Sequence, residues 1–249
     1  MKYYQPKLLQ PKVLNSSTIE SWFTLKGNSI QNDVRIPGFN LGFNTDESEQ
    51  VIQANREQLA KNIDVPIASI AFANQVHGTD IQVISEGGIY DGIDGFLTQT
   101  KGLALAIQVA DCAAVLLGDA TTGTIAAVHA GWRGAIGGIV VKAIQKMQAL
   151  KCNSENLEVF VSPCIAMNRF EVGEEVAQQF PNEFVDRNSF PKPHINLKGF
   201  IENQLLSLGI KEEHIEISEH CTVSEQEFYS YRREGKSSGR MMGIIKLNK

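Results

Sequence analysis

The sequence predicts a mixed α/β fold in one domain, and three observations carry that expectation. Short, almost continuously apolar runs crowd residues 67–128; one of them feeds a glycine-rich turn and then a helix-periodic stretch ending near residue 147; and no repeat, low-complexity tract or Pro/Ser-rich linker divides the 249 residues. A chain of this length still closes around one core, so a single catalytic domain spanning residues 1–249 is expected.

Taken in order, the first regular element is a helix over 46–63. Asp46 with Glu49 three residues on has the form of a capping box, and Val51, Ile52, Leu59 and Ile63 share a face, leaving Asn55 and Arg56 on the polar side. Strands are expected at 67–73, 81–85, 103–109, 113–117 and 124–128, and their unbroken apolar character suits strands covered on both faces. His129-Ala-Gly-Trp-Arg-Gly then turns into a helix whose buried face is Ile136, Ile139, Val140, Ala143, Ile144 and Met147. Beyond it come a strand at 157–161, helices at 172–180 and 197–208, a loop at 180–194, and a closing strand at 243–247.

Composition narrows the functions. With 43% hydrophobic and 20% charged residues the chain can bury a sizeable core, and its net charge of -5 gives no general attraction to phosphate backbones or anionic lipid. Nucleic acid and membrane are therefore not expected partners. The start MKYYQPKLLQPKVL carries two prolines and lacks the ~7 to 15 apolar residues of a secretory signal, and no stretch is apolar enough for a membrane helix. Cys112, Cys152, Cys164 and Cys221 lie too far apart in too large a chain to form a disulfide frame, which points to a reducing, cytoplasmic setting.

Three soft-ligand side chains flank the apolar runs: His77 in NQVHGTD, Cys112 in VADCAAVLLGD and His129 in AAVHAGWRG. Two imidazoles and a thiolate suit zinc and leave a fourth position for water, as in a catalytic zinc site. Taken alone, the same residues also allow a small buried thiol and two satisfied polar histidines. In the turn after His129, glycines at 131 and 134 free the backbone and Arg133 stands at the helix start, which allows an anion site or a plain tight turn with Arg133 in solvent. The SYRREGKSSGR stretch gathers Arg232, Arg233, Lys236 and Arg240, as a solvated loop or a second anion clamp. Asp91 and Asp94, each beside a glycine, read most simply as turn residues.

Taken together, HGTD, DGFLT, ADC, HAGWRG, FEVG and FYSYRR occur in the order found in a known family, and the chain resembles it from about residue 40 to its end. That family was long catalogued as polyphenol oxidase laccases; it is now read as multifunctional purine nucleoside phosphorylases, and its bacterial members also as peptidoglycan editing factors. The resemblance implies a single-domain four-layer α/β/β/α sandwich with mixed sheets, akin to the catalytic domain of cytotoxic necrotizing factor toxins. It implies zinc, with copper as the other candidate, held by His77, Cys112 and His129, which would also be the catalytic residues. The activity implied is phosphorolysis of adenosine, inosine and methylthioadenosine, with adenosine deamination besides, so the partners are a purine nucleoside and phosphate. Arg133, Arg56 and Asp94 are the expected substrate and phosphate contacts, Arg133 as the residue that orients phosphate. Two departures stand out: Ser162-Pro163-Cys164-Ile165-Ala166 where many members read Gly-Pro-Ala-Ile-Gly, and Asn196 where an Asp is frequent.

The oxidase label sits poorly with the composition, because a multicopper oxidase needs many imidazoles in His-x-His pairs and this chain has 5 His and no such pair. Two rival functions share the same residues. One is a cysteine hydrolase acting on cell-wall precursors, with Cys112 as nucleophile, His129 as base and Asp111 or another acid behind it; the other is a non-catalytic protein that binds metal or purine.

Overall fold

Apolar runs that alternate with turns leave strands as the main building unit, and a computed structural model, which describes residues 6–29 and 32–249, arranges them in two large sheets. Residues 1–5 of the amino-terminal stretch read for a secretory signal lie outside the described residues. The strands are β1 (Leu8–Leu9), β2 (Ile19–Thr24), β3 (Ile70–Asn74), β4 (Ile81–Val83), β5 (Gly88–Asp91), β6 (Gly95–Thr98), β7 (Ala104–Val109), β8 (Ala113–Asp119), β9 (Thr124–Ala130), β10 (Glu158–Val161), β11 (Val185–Asp186), β12 (His194–Ile195), β13 (Ile215–Ile217) and β14 (Met241–Leu247). The helices are α1 (Glu49–Asn62), α2 (Trp132–Ile136), α3 (Ile139–Ala149), α4 (Glu174–Ala177), α5 (Leu197–Ser207) and α6 (Tyr231–Glu234).

One sheet has the order β1-β2-β14-β7-β3-β5 and the other β13-β10-β8-β9-β6-β4, while β11 and β12 form a small ribbon. Both are mixed: β3 runs parallel to β5 and β7, whereas β14 is antiparallel to β2 and β7. In the second sheet β4 is parallel to β6 and β10 to β13, and the centre is the antiparallel β8–β9 pair. Every residue of β7, β8 and β9 is buried, which explains their unbroken apolar sequence.

Three cores define the layers. Leu59 and Ala60 of α1, with Ile63 just past its end, pack on Ile70, Phe72, Ala104 and Ile244 of the first sheet. Phe23, Leu105, Ile107, Phe96, Leu116 and Phe160 fill the space between the sheets, and Val140, Ile144, Phe200 and Leu205 of α3 and α5 cover the far side of the second. The order is thus helix, sheet, sheet, helix, the four-layer α/β/β/α sandwich with mixed sheets. Where the sheets face each other at Gly243, a side chain would meet the Ala114 Cβ at 2.7 Å, so glycine there sets their close approach. No helix among the described residues is long and apolar enough to cross a membrane.

Several local expectations are corrected. The first helix starts at Glu49 rather than Asp46, because the Ser48 side chain accepts from the Val51 amide and takes the cap. Asn55 and Arg56 are buried, not on a solvated face. Asn55 donates to the Asn40 carbonyl at 2.7 Å, and Arg56 donates from Nε to the Leu41 carbonyl at 2.9 Å with its guanidinium between the Phe43 and Phe72 rings. The helix expected over 172–180 is held to Glu174–Ala177, and the run at 67–73 opens with a single 3-10 turn over Ile67–Ser69. Strands β2, β5 and β13 arise where short or polar sequence gave no period to follow.

Candidate metal centre and cavity

The site lies where β3, β7, β8 and β9 end. Cys112 immediately precedes β8, and His129 sits near the end of β9, whose antiparallel partner at that point is Ala114. His77 comes from the turn after β3. Among the described residues these three form the one group with metal-ligand character: their donor atoms lie within 4.8 Å of one another. A tetrahedral zinc with Zn–N near 2.0–2.1 Å and Zn–S near 2.3 Å sets donors roughly 3.3 to 3.8 Å apart, so small side-chain movements suffice to close the set.

Asp94 organises the cluster from behind. Its carboxylate, fully buried, accepts from His129 Nδ1 at 2.7 Å and from the amides of Val76, His77 and Gly78 at 3.2, 3.0 and 2.6 Å. Burial alone would raise its pKa, but His129 and the amides of Gly78 and Val76 outweigh that and keep it below the usual carboxylate range. A charged acceptor at Nδ1 keeps a proton there and leaves Nε2 facing Cys112, able to bind a metal once its own proton is lost. The amide bonds also hold His77 in the left-handed region, φ 59°, and Asp111 beside Cys112 adopts φ 84°. Non-glycine residues rarely accept that conformation, and two of them at one site mark a backbone bent to aim side chains.

The cluster is electrostatically coupled. Burial alone would push the Cys112 thiol up, yet the neighbouring His129 and His77 bring it down to about 6. His129 moves oppositely: burial would lower it, but the Cys112 thiolate and Asp94 raise it to about 9. Both shifts favour the thiolate–imidazolium form of the pair when no metal is bound. Gly131 makes room for it, since a Cβ there would stand 2.8 Å from Cys112 Sγ.

In front of the cluster opens a cavity of about 490 Å³, lined by His77, Cys112 and His129 and walled by Gln108, Trp132, Phe170, Tyr231, Arg232 and Arg240 among others. Asp111 ties the Arg232 segment into place, accepting from the Thr222 hydroxyl and from the Arg232 amide, both at 2.6 Å. The basic stretch, expected as a solvated loop or an anion clamp, contains helix α6 and brings Arg232 and Arg240 to the cavity, where the Arg232 guanidinium lies over Phe170 and that of Arg240 over Tyr231.

The other expected contacts stand apart from this wall. Arg133 is exposed and stacks on Trp132, whose ring it backs, and Arg56 is enclosed beneath α1. Asp94 is more than a turn residue, but it reaches the cavity only through His129 and the His77 turn. The acid behind His129 is Asp94, not Asp111. Of the departures, Asn196 caps α5 by accepting from the Gly199 amide at 3.0 Å, as an aspartate would, and Ser162 accepts from the Ala114 amide at 3.0 Å, pinning the start of β8. Cys164 is fully buried, with its thiol pushed up to about 12 by burial. Phe170, Tyr231 and Arg232 fall within the FEVG and FYSYRR motifs, but Gln108, in an apolar run, carried no sequence signal at all.

Comparison with known proteins agrees with this architecture. The chain is 34% identical over 218 residues to a purine nucleoside phosphorylase of Corynebacterium glutamicum, covering 85% of this chain and 87% of that one. It is 29% identical over 241 residues to an adenosine deaminase from an unknown prokaryotic organism, covering 89% and 91%. The crystal structure of YlmD from Geobacillus stearothermophilus superposes with a TM-score of 0.87 at 27% identity over 93% of each chain. The sequence profile of the multi-copper polyphenol oxidoreductase laccase family matches residues 22–248, and the chain therefore belongs to that family.

Proposed function

We propose that this protein is a metal-dependent purine nucleoside enzyme, cleaving adenosine, inosine and methylthioadenosine with phosphate and deaminating adenosine as a side activity. The observation that carries the reading is the convergence of His77, Cys112 and His129 on one point of a cavity large enough for a small organic substrate. Relatives that are named purine nucleoside phosphorylase and adenosine deaminase support it.

His77, Cys112 and His129 would hold zinc or copper, and Asp94 fixes the His129 tautomer that such an ion requires. A zinc ion there would supply Lewis acidity, enough to bring the pKa of water to about 7. The chain's own groups do the rest. Arg232 and Arg240, the cationic side chains of the cavity wall, would bind phosphate and orient it toward the ribose C1′. Phe170, Trp132 and Tyr231 offer faces for a flat base and keep water from it.

The test is product analysis with adenosine, with and without phosphate. Phosphate-dependent release of adenine with ribose 1-phosphate, accompanied by slower ammonia release, is expected; absence of both products contradicts the reading.

A second reading has its own observation. Asp94, His129 and Cys112 stand in line as acid, base and nucleophile, with the thiol held near 6, which is the arrangement of a cysteine hydrolase. Turnover of an amide-bonded cell-wall precursor by metal-free protein would favour it.

A further inference from the structure

The side chain of Gln108 is positioned with unusual care for a residue that the metal chemistry does not use. It lies near the end of β7, is 7% exposed and lines the cavity beside Cys112. Its backbone is clamped by the Gln75 carboxamide: the Gln108 amide donates to Gln75 Oε1 at 2.9 Å, and Gln75 Nε2 donates to the Gln108 carbonyl at 2.9 Å. These two bonds continue the β3–β7 pairing beyond Phe72, where the strand register stops.

The Gln108 carboxamide itself is left almost free. Nε2 makes one long contact, 3.4 Å, to the Ala73 carbonyl, and Oε1 is buried without a hydrogen-bond partner among the described residues. Buried polar atoms are nearly always paired, because water has been stripped from them with nothing in return. Gln108 lines the cavity, and its shielded, unpaired acceptor would gain a partner if the carboxamide turned toward a donor on a ligand there.

A carboxamide offers an acceptor beside a donor. Purine bases carry the complementary edges: adenine its 6-amino donor beside a ring nitrogen, hypoxanthine its N1–H beside the 6-oxo group. We propose that Gln108 reads the base, pairing its carboxamide with the edge that bears position 6 of the purine, and so favours 6-amino and 6-oxo purine nucleosides over those with no N–H at that edge. This rests on the purine nucleoside reading above. The aromatic faces of Phe170, Trp132 and Tyr231 add stacking, which is indifferent to that edge. Gln108 is then a specificity residue, and its loss should be felt only by substrates able to use it.

The experiment measures phosphate-dependent base release by the metal-loaded protein with adenosine, inosine and purine riboside, whose base has neither a 6-substituent nor an N–H on the ring. In Gln108→Leu, kcat/KM for adenosine and inosine should fall about 5- to 150-fold, the range of one bidentate pair, while purine riboside changes by less than about threefold. Gln108→Met, nearly isosteric, should repeat the pattern. On the wild-type protein, which needs no variant to fold, N6,N6-dimethyladenosine should lose a similar factor against adenosine. An equal fall for all three substrates in the variants, or undiminished turnover of the dimethyl compound, overturns the assignment of Gln108. If the wild-type protein cleaves none of these nucleosides, the purine nucleoside reading falls and this inference with it. The two failures are thereby distinct.

Discussion

Asp94 and His129 form the buried pair behind the proposed metal centre: the carboxylate accepts from Nδ1 at 2.7 Å while also holding the three amides of the His77 turn. One residue thus orients two of the three proposed ligands. Asp94→Asn removes the charge that fixes the His129 tautomer and weakens the grip on the turn. Zinc affinity, measured by competition with a chromophoric chelator, should fall about 10- to 100-fold, with far-UV circular dichroism unchanged. Unaltered affinity would mean that the carboxylate has no part in orienting the ligands.

Gly131 offers a steric test of the same centre. Its Cβ would come within 2.8 Å of Cys112 Sγ and 3.6 Å of a His77 ring carbon, so Gly131→Ala should displace the thiol. We expect metal stoichiometry to drop well below one while thermal stability falls by only about 1–3 kcal/mol, the usual range for overpacking. Full metal occupancy in the variant would show that the turn yields instead.

Metal-free protein should carry a reactive Cys112. With the thiol at about 6, iodoacetamide labelling of Cys112, followed by peptide mapping, should rise through pH 6 and level off by about pH 7.5. The direction follows from His129 and His77 outweighing burial: protons leave the thiol early on raising the pH. An ordinary thiol would go on gaining reactivity through about pH 8.5. Cys164, held near 12, should remain unlabelled throughout.

The arginines separate wall from periphery. Arg232→Ala or Arg240→Ala should raise KM for phosphate about tenfold or more, as loss of a charge-assisted bond does, with a smaller change in KM for the nucleoside. Arg133→Ala, which removes only an exposed stack on Trp132, should change either constant less than about threefold. The reverse ranking would return the phosphate to the glycine turn.

Much of this was legible in the residues. Strands β7, β8 and β9 could be read because burial on both faces leaves an apolar signature, and α3 because its helical period is strong. His77, Cys112 and His129 stood out as soft ligands beside those strands. Tertiary context decided the rest. Asp94 looks like any aspartate between turn glycines until its carboxylate is seen to collect four hydrogen bonds, and Arg56 looks solvated until Phe43 and Phe72 close over it. Arg232 reaches the cavity only through Asp111, 121 residues away in sequence, a pairing that local pattern does not encode.

The central claim is that Cys112 serves as a ligand of a catalytic metal, and one measurement addresses it most directly: phosphate-dependent adenosine cleavage and Cys112 labelling, followed together before chelation, after it and after zinc is restored. A metal-bound thiolate has its lone pair engaged, so chelation should abolish turnover and expose Cys112, and added zinc should reverse both. Turnover that survives complete metal removal, yet is destroyed by alkylation of Cys112 alone, would contradict the account and make Cys112 the nucleophile of a hydrolase.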